Sequence, residues 1–208
     1  MKIAVIGANG RAGSKIVDEI INRGLDVTAI VRSENKSAAK NFILKDIFAL
    51  KSDDLKIFDV VIDCFGAWTP ETLPLHTKTS QYLCDLLSGT NIRLIIIGGA
   101  GSLYVDKDKT QLYETKDFPK EYFPTAKAQA DELAALRKRN DVKWTFISPA
   151  ADFRADGERT GKYILAGEEF TLNSKGESII SYADYAIALV DEAINGKNIQ
   201  KRISVLGE

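Results

Sequence analysis

A glycine-spaced turn close to the start of the chain constrains everything that follows it. Gly7-Ala8-Asn9-Gly10-Arg11-Ala12-Gly13 stands directly behind a short β-type run, Lys2–Ile6, and at the head of an amphipathic segment. Each glycine has a physical use. Gly7 permits a tight turn, Gly10 lets the backbone approach a pyrophosphate, and Gly13 lets the next helix pack closely on the sheet. In that segment Ile16, Ile20 and Ile21 recur at helical spacing while Lys15, Asp18, Glu19 and Asn22 fill the polar face, and Gly24 ends it. A helix beginning there offers free N–H groups and its positive dipole end to phosphate oxygens. Strand, glycine turn and helix in this order specify a dinucleotide-binding unit.

The rest of the chain repeats the alternation. Strands are expected at Lys2–Ile6, Asp26–Val31, Asn41–Leu44, Asp59–Phe65, Arg93–Ile97 and Lys143–Ser148, with helices near Arg11–Arg23, Lys51–Ile57, His76–Ser88 and Thr125–Arg139. Val60-Val61-Ile62 and Leu94-Ile95-Ile96-Ile97 are apolar on both faces, as buried parallel strands are. The expected fold is α/β: a Rossmann-like, doubly wound parallel sheet forming one domain over residues 1–208. After Pro149 the pattern shifts to short strands at Lys162–Leu165 and Glu169–Leu172, a helix from about Tyr182 to Asn195 and a last strand at Arg202–Leu206. Residues 150–208 are expected to form a substrate-side lid or edge, with the Arg159–Gly161 loop in it, and Ser181 with Asp184 to cap the late helix.

Composition removes several chemistries. Lys and Arg number 28 against 29 Asp and Glu, which leaves no electrostatic footprint for nucleic acid or an anionic membrane. Two cysteines and one histidine are too few for a disulfide framework, a zinc site or a multi-histidine metal centre, so no metal is expected. No apolar run nears the roughly 20 residues of a membrane span, and the first residues do not read as a signal peptide. The expected location is cytoplasmic.

The end of the second strand bears on the cofactor. NAD-selective sites usually hold the ribose 2′-OH with an acidic residue about 20 positions after the glycines. Here that strand ends Ala29-Ile30-Val31-Arg32-Ser33, with a guanidinium where the carboxylate would stand, and Arg11 can assist it. NADP(H) is therefore expected over NAD(H).

KIAVIGANGRAG, VVIDCFG, RLIIIGGAGSLYV, WTFISPAADF, ERTGKY and SIISYADYA together resemble blocks of the short-chain dehydrogenase/reductase superfamily, in its atypical NmrA-like branch. They are more closely similar to the small NAD(P)H-flavin reductases related to biliverdin reductase B, and the resemblance runs nearly end to end. It implies cofactor contacts from Gly7, Asn9, Gly10, Arg11 and Ala12, then Arg32 and Ser33. Asp46 and Ile47 would border the adenine, and Cys64, Phe65 and Gly66 the adenine-side ribose and pyrophosphate. Gly98, Gly99, Pro149 and Ala150 would face the nicotinamide half. It also implies a flavin, FMN or FAD, as substrate rather than bound group.

One departure matters. Most superfamily dehydrogenases carry Tyr-x-x-x-Lys, in which Lys lowers the Tyr pKa for proton exchange with a substrate hydroxyl. Four residues after Tyr82, Tyr104, Tyr113, Tyr122, Tyr163, Tyr182 and Tyr185 stand Leu86, Asp108, Asp117, Ala126, Gly167, Ala186 and Leu189; none is lysine. Hydride transfer to a planar conjugated acceptor fits that absence, because the acceptor's proton can come from water. Ser102 and Lys127 are the candidates for a catalytic role, and His76, Tyr104 and Phe153 for lining the substrate pocket. Two other readings stand beside the reductase: a non-catalytic NADP-binding redox sensor, and a nucleotide-sugar epimerase or dehydratase.

Overall fold

The apolar runs of the first 150 residues become strands of one sheet because helices cover both of its faces. A computed structural model describes residues 1–208. The strands β1 (Lys2–Ile6), β2 (Asp26–Val31), β3 (Asn41–Leu44), β4 (Val60–Asp63), β5 (Arg93–Ile97) and β6 (Lys143–Ser148) lie in the order β3-β2-β1-β4-β5-β6, every neighbour parallel. The order reverses at β1, whose neighbours are β2 on one side and β4 on the other. A crevice opens at such a switch point, beyond the carboxyl ends of the strands. The fold is a Rossmann-like α/β domain.

Alternate residues of each strand feed two cores. Ile3, Val5, Val60 and Ile62 pack under α1 (Arg11–Asn22) and the late helix Tyr182–Asn195, against Ile16, Val17, Ile20, Tyr185 and Leu189. Ala4, Ile6, Val61, Leu94 and Ile96 face the other way. They pack against Leu55 of the short helix α2 (Ser52–Leu55), Leu83 and Leu87 of α3 (Leu75–Leu87), and Leu133 and Leu136 of α4 (Phe123–Leu136). No helix is long and apolar enough to cross a membrane.

Before residue 149 the strand bounds agree with the sequence except at the fourth strand, whereas the helices shift: the first and third by one residue to Arg11–Asn22 and Leu75–Leu87, and the expected Thr125–Arg139 to Phe123–Leu136. The fourth strand stops at Asp63 rather than Phe65, because Asp63 Oδ1 accepts the Phe65 N–H at 2.9 Å and turns the chain. The second helix is the single turn Ser52–Leu55, not Lys51–Ile57.

Past residue 149 more differs. Segments β7 (Asp152–Arg154) and β9 (Ile179–Ser181) pair as a separate parallel two-stranded sheet, at three residues each too short to show a period. Strand β8 (Ile164–Ala166) forms, but Glu169–Leu172 is no strand and makes only a bridge from Glu169 to Tyr104. After α5 (Tyr182–Asn195), β10 (Lys201–Leu206) runs parallel to β6 and antiparallel to β8. Ser181 Oγ accepts the Asp184 N–H at 3.0 Å, as a cap should, but the Asp184 carboxylate is used elsewhere. It accepts the N–H groups of Thr160 and Gly161 and the Thr160 hydroxyl, while Arg159 reaches Glu19 of α1 at 3.0 Å. The Arg159–Gly161 loop is therefore clamped onto α1 and α5 rather than standing free over the crevice.

Candidate active site

The glycine turn is built from its own backbone. Gly7 adopts φ +72°, a left-handed conformation that glycine takes without strain. Its N–H donates to Ile30 O at the end of β2, and its carbonyl accepts the Gly10 N–H at 2.8 Å. A Cβ at position 7 would stand 3.0 Å from the Cys64 carbonyl oxygen, so the turn rests against the chain leaving β4. A Cβ at position 13 would lie 2.4 Å from the Gly7 carbonyl oxygen. Gly13 thus lets the helix close on the turn itself, a tighter requirement than contact with the sheet. Gly10 caps α1 with no side-chain hydrogen bond, so the N–H groups of Arg11, Ala12 and Gly13 have no acceptor within the helix.

Asn9 splices this turn to the loop after β2. Its Nδ2 donates to Glu34 O at 2.8 Å and its Oδ1 accepts the Lys36 N–H at 2.8 Å, so its amide shapes the segment carrying Arg32 and Ser33. Arg32 and Arg11 are both exposed. Of the nine arginines, seven hold a carboxylate, and the two that do not are Arg11 and Arg32. Arg11 stands over the Tyr182 ring, 5.9 Å from its centroid. That ring lies tilted by 40° against Phe153, centroids 4.0 Å apart, and Phe153 lies 4.9 Å from Tyr185. Phe153 is half-buried in this aromatic row. Beyond β3, Asp46 accepts the Phe48 N–H at 2.9 Å and Ile47 is buried beside it.

At the central strands the polar groups are buried. Asp63 is 2 % exposed, and its Oδ2 has no partner. Burial pushes its pKa up to about 6, against the Phe65 N–H, which favours the anion. Burial of its sulfur likewise raises the Cys64 thiol, with the Asp63 carboxyl adding to it. Phe65 is half-buried and Gly66 exposed, with the Trp68 indole 3.4 Å from where a Gly66 Cβ would stand. Gly98 and Gly99 are buried and have reasons of their own. A Cβ would fall 2.0 Å from the Phe146 ring at 98 and 2.0 Å from Gln129 Oε1 at 99. Pro149 and Ala150 continue β6 and are buried.

Four of the sequence candidates are engaged elsewhere. Ser102 is buried, and its hydroxyl accepts from Arg202 at 3.3 Å. The Tyr104 hydroxyl accepts from Arg137 at 3.0 Å, and Glu168 binds both arginines, so Ser102 and Tyr104 belong to a clamp between β10 and α4. Lys127 is exposed and paired with Asp131 one turn on, at 2.5 Å, and the residue four before it is Phe123, which has no hydroxyl. His76 is 2 % exposed, and its Nε2 contacts Ala67 O at 3.1 Å. Conversely, the buried Asp63 and Glu132, and Tyr182, were not singled out by sequence. An acid closing the apolar run Val60-Val61-Ile62 was the available signal for Asp63.

The profile of the NAD(P)H-binding family matches residues 7–193, from the glycine turn to α5. The chain belongs to the NAD(P)H-binding family. Among family-like structures, a Streptococcus pneumoniae protein described as a "putative NADH-flavin reductase" is 60 % identical, with all of both chains covered and a TM-score of 0.98. The YwnB protein of Bacillus subtilis is 44 % identical over 212 residues, covering 100 % of this chain and 99 % of the relative. A Bacteroides thetaiotaomicron protein described as a "putative epimerase" is 33 % identical, covering 99 % and 96 % of the two chains, with a TM-score of 0.87. The turn, uncapped helix and two uncommitted guanidiniums of this chain fit the phosphates of the family's cofactor.

Proposed function

We propose that this protein is an NAD(P)H-dependent reductase that passes hydride to a flavin or a similar planar conjugated acceptor, with NADPH preferred. The observation that carries the cofactor half is the pairing census: the two arginines without a carboxylate partner both stand at the glycine turn and the end of β2. The turn and the free N–H groups of Arg11, Ala12 and Gly13 would hold the pyrophosphate. Arg32, beside Ser33, would hold the 2′-phosphate, and Arg11 would leave the Tyr182 face to join it. Asp46 and Ile47 would border the adenine, and Cys64, Phe65 and Gly66 the middle of the cofactor. Pro149, Ala150 and the Gly98–Gly99 backbone would back the nicotinamide.

Bound reduced nicotinamide supplies one hydride, two electrons with a proton, to an electrophilic ring atom of the acceptor, whose second proton comes from water. The chain itself contributes orientation and exclusion of water, which is a proximity effect. The pneumococcal relative's description supports a flavin as the acceptor. The occupied state of Ser102, Tyr104 and Lys127, with Phe123 where a dyad tyrosine would stand, argues against alcohol–ketone or epimerase chemistry. NADPH oxidation by the purified protein with and without FMN tests the reading. Oxidation that depends on FMN supports it. Tight NADPH binding without oxidation in the presence of any flavin or quinone would favour the redox sensor instead.

A further inference from the structure

We propose that His76 and Glu132 form a buried positioning pair for the Phe65–Trp68 wall of the cofactor site, with Glu132 protonated and donating to Nδ1 of a neutral His76. The inference rests on the functional reading above, which makes that segment part of the site.

The geometry fixes one proton, on Nε2 of His76. A carbonyl oxygen only accepts, so the 3.1 Å contact with Ala67 O requires the proton on Nε2 of His76. Nδ1 of a neutral ring is then an acceptor, and it faces Glu132 Oε2 at 3.8 Å. That oxygen is buried and has no other partner. An ionised Glu132 would present a bare anion to a lone pair in a dry interior, whereas a protonated one needs a small approach to complete a hydrogen bond. The surroundings favour the neutral pair. Burial raises the Glu132 pKa well above the ordinary range, the nearby carboxyl of Asp63 on β4 adds to this, and only the Ser80 hydroxyl of α3 favours the anion. Burial lowers the His76 pKa as well, outweighing the Ala67 carbonyl contact that raises it, so the net direction at both partners is toward the neutral form.

The pair acts on the segment between β4 and α3. Ala67 is buried and its carbonyl is held by His76, while the Phe65 ring meets the imidazole edge-on at 5.6 Å and 80°. The residues between and after them, Gly66 and Trp68, are exposed. Two residues inside the α3–α4 layer therefore decide how the exposed part of this wall is presented.

As the only histidine of the chain, His76 gives one set of imidazole signals, and long-range ¹H–¹⁵N spectra read its tautomer directly. The expected result is a neutral ring with the proton on Nε2 that does not titrate between about pH 5 and 8. Glu132→Gln keeps a donor and is expected to bind NADPH within about twofold of wild type. Glu132→Leu removes the donor and is expected to weaken binding about fivefold or more, the size of one lost hydrogen bond. Leu133→Ala, which opens the same core without touching the pair, is expected to leave binding unchanged. An imidazolium or an Nδ1–H tautomer near neutral pH overturns the pairing, as does Glu132→Gln failing as badly as Glu132→Leu. If Glu132→Leu does not fold, the spectra of wild type and Glu132→Gln decide. A wild type that binds neither NADPH nor NADH overturns the functional reading, and the positioning role with it, while leaving the tautomer result intact.

Discussion

The carbonyl oxygen of Gly7 stands 2.4 Å from the point where a side chain at residue 13 would begin. No side chain fits there without displacing the turn. Gly13→Ala is expected to cost about 1–3 kcal/mol, as overpacking of a filled site does, and to weaken cofactor binding by moving the turn. Gly24→Ala is the contrast: φ is +68° but nothing lies within 4 Å, so only the backbone strain of about 1–2 kcal/mol is felt and cofactor affinity is retained. Urea titrations with NADPH binding on the same samples check both.

Arg32→Ala is expected to weaken NADPH binding about tenfold to a hundredfold, from the loss of about 1.5–3 kcal/mol of charge-assisted hydrogen bonding. NADH affinity is expected to stay within about twofold of wild type. Arg11→Ala is expected to give a smaller loss, because its guanidinium must leave the Tyr182 ring before meeting phosphate. Isothermal titration of both cofactors into the three proteins checks this. Equal wild-type affinities would make Arg32 a surface charge.

Much of this was legible in the chain. The glycine turn and the β1, β2, β3, β5 and β6 bounds follow from alternation and two-sided apolar runs, since a buried parallel strand leaves a local imprint. The late strands left none: three-residue β7 and β9 depend on partners distant in sequence. Side-chain commitments were equally invisible. Ser102 and Tyr104 follow β5 as site residues would, yet Arg202, a hundred residues on, and Arg137 claim their hydroxyls. His76 stands near a loop with two prolines and an exposed Trp68, but its ring is turned inward onto the Ala67 carbonyl, with Glu132 beyond it. A sequence gives the position of a polar group and not its partner.

Stability should fall as pH rises through the window set by Asp63. Its carboxyl rises from the ordinary 3.8 to about 6 on folding, so the folded chain keeps a proton that the unfolded chain releases. The contribution is fully present below 3.8 and lost by about 6, amounting to up to about 3 kcal/mol. Glu132, raised by burial too, adds in the same direction. Asp63→Asn is expected to flatten the fall across that window, read from urea midpoints measured at successive pH values. An unchanged slope would mean that Asp63 is ionised in the folded chain.

No single tyrosine is expected to act as the proton donor. Each of the seven Tyr→Phe variants, Ser102→Ala and Lys127→Ala should retain flavin-dependent NADPH oxidation within a few-fold, against the about 10²–10⁴-fold loss that removing a general acid causes. Tyr185→Phe should lose stability instead, because its buried hydroxyl donates to Ile147 O at 2.7 Å. Initial rates at saturating FMN, with melting curves alongside, separate the two effects. A large loss at one hydroxyl with stability intact would identify an acid and reopen dehydrogenase chemistry.

In the proposed reaction, hydride passes from the nicotinamide to a flavin on this protein. The most direct measurement mixes the protein anaerobically with equal amounts of NADPH and FMN and follows the near-ultraviolet band of the reduced nicotinamide beside the blue band of the oxidised flavin. Both bands are expected to decline together, one equivalent for one, much faster than without protein, and more slowly with Arg32→Ala at subsaturating NADPH. Bound NADPH whose absorbance persists beside unreduced flavin would contradict that reaction.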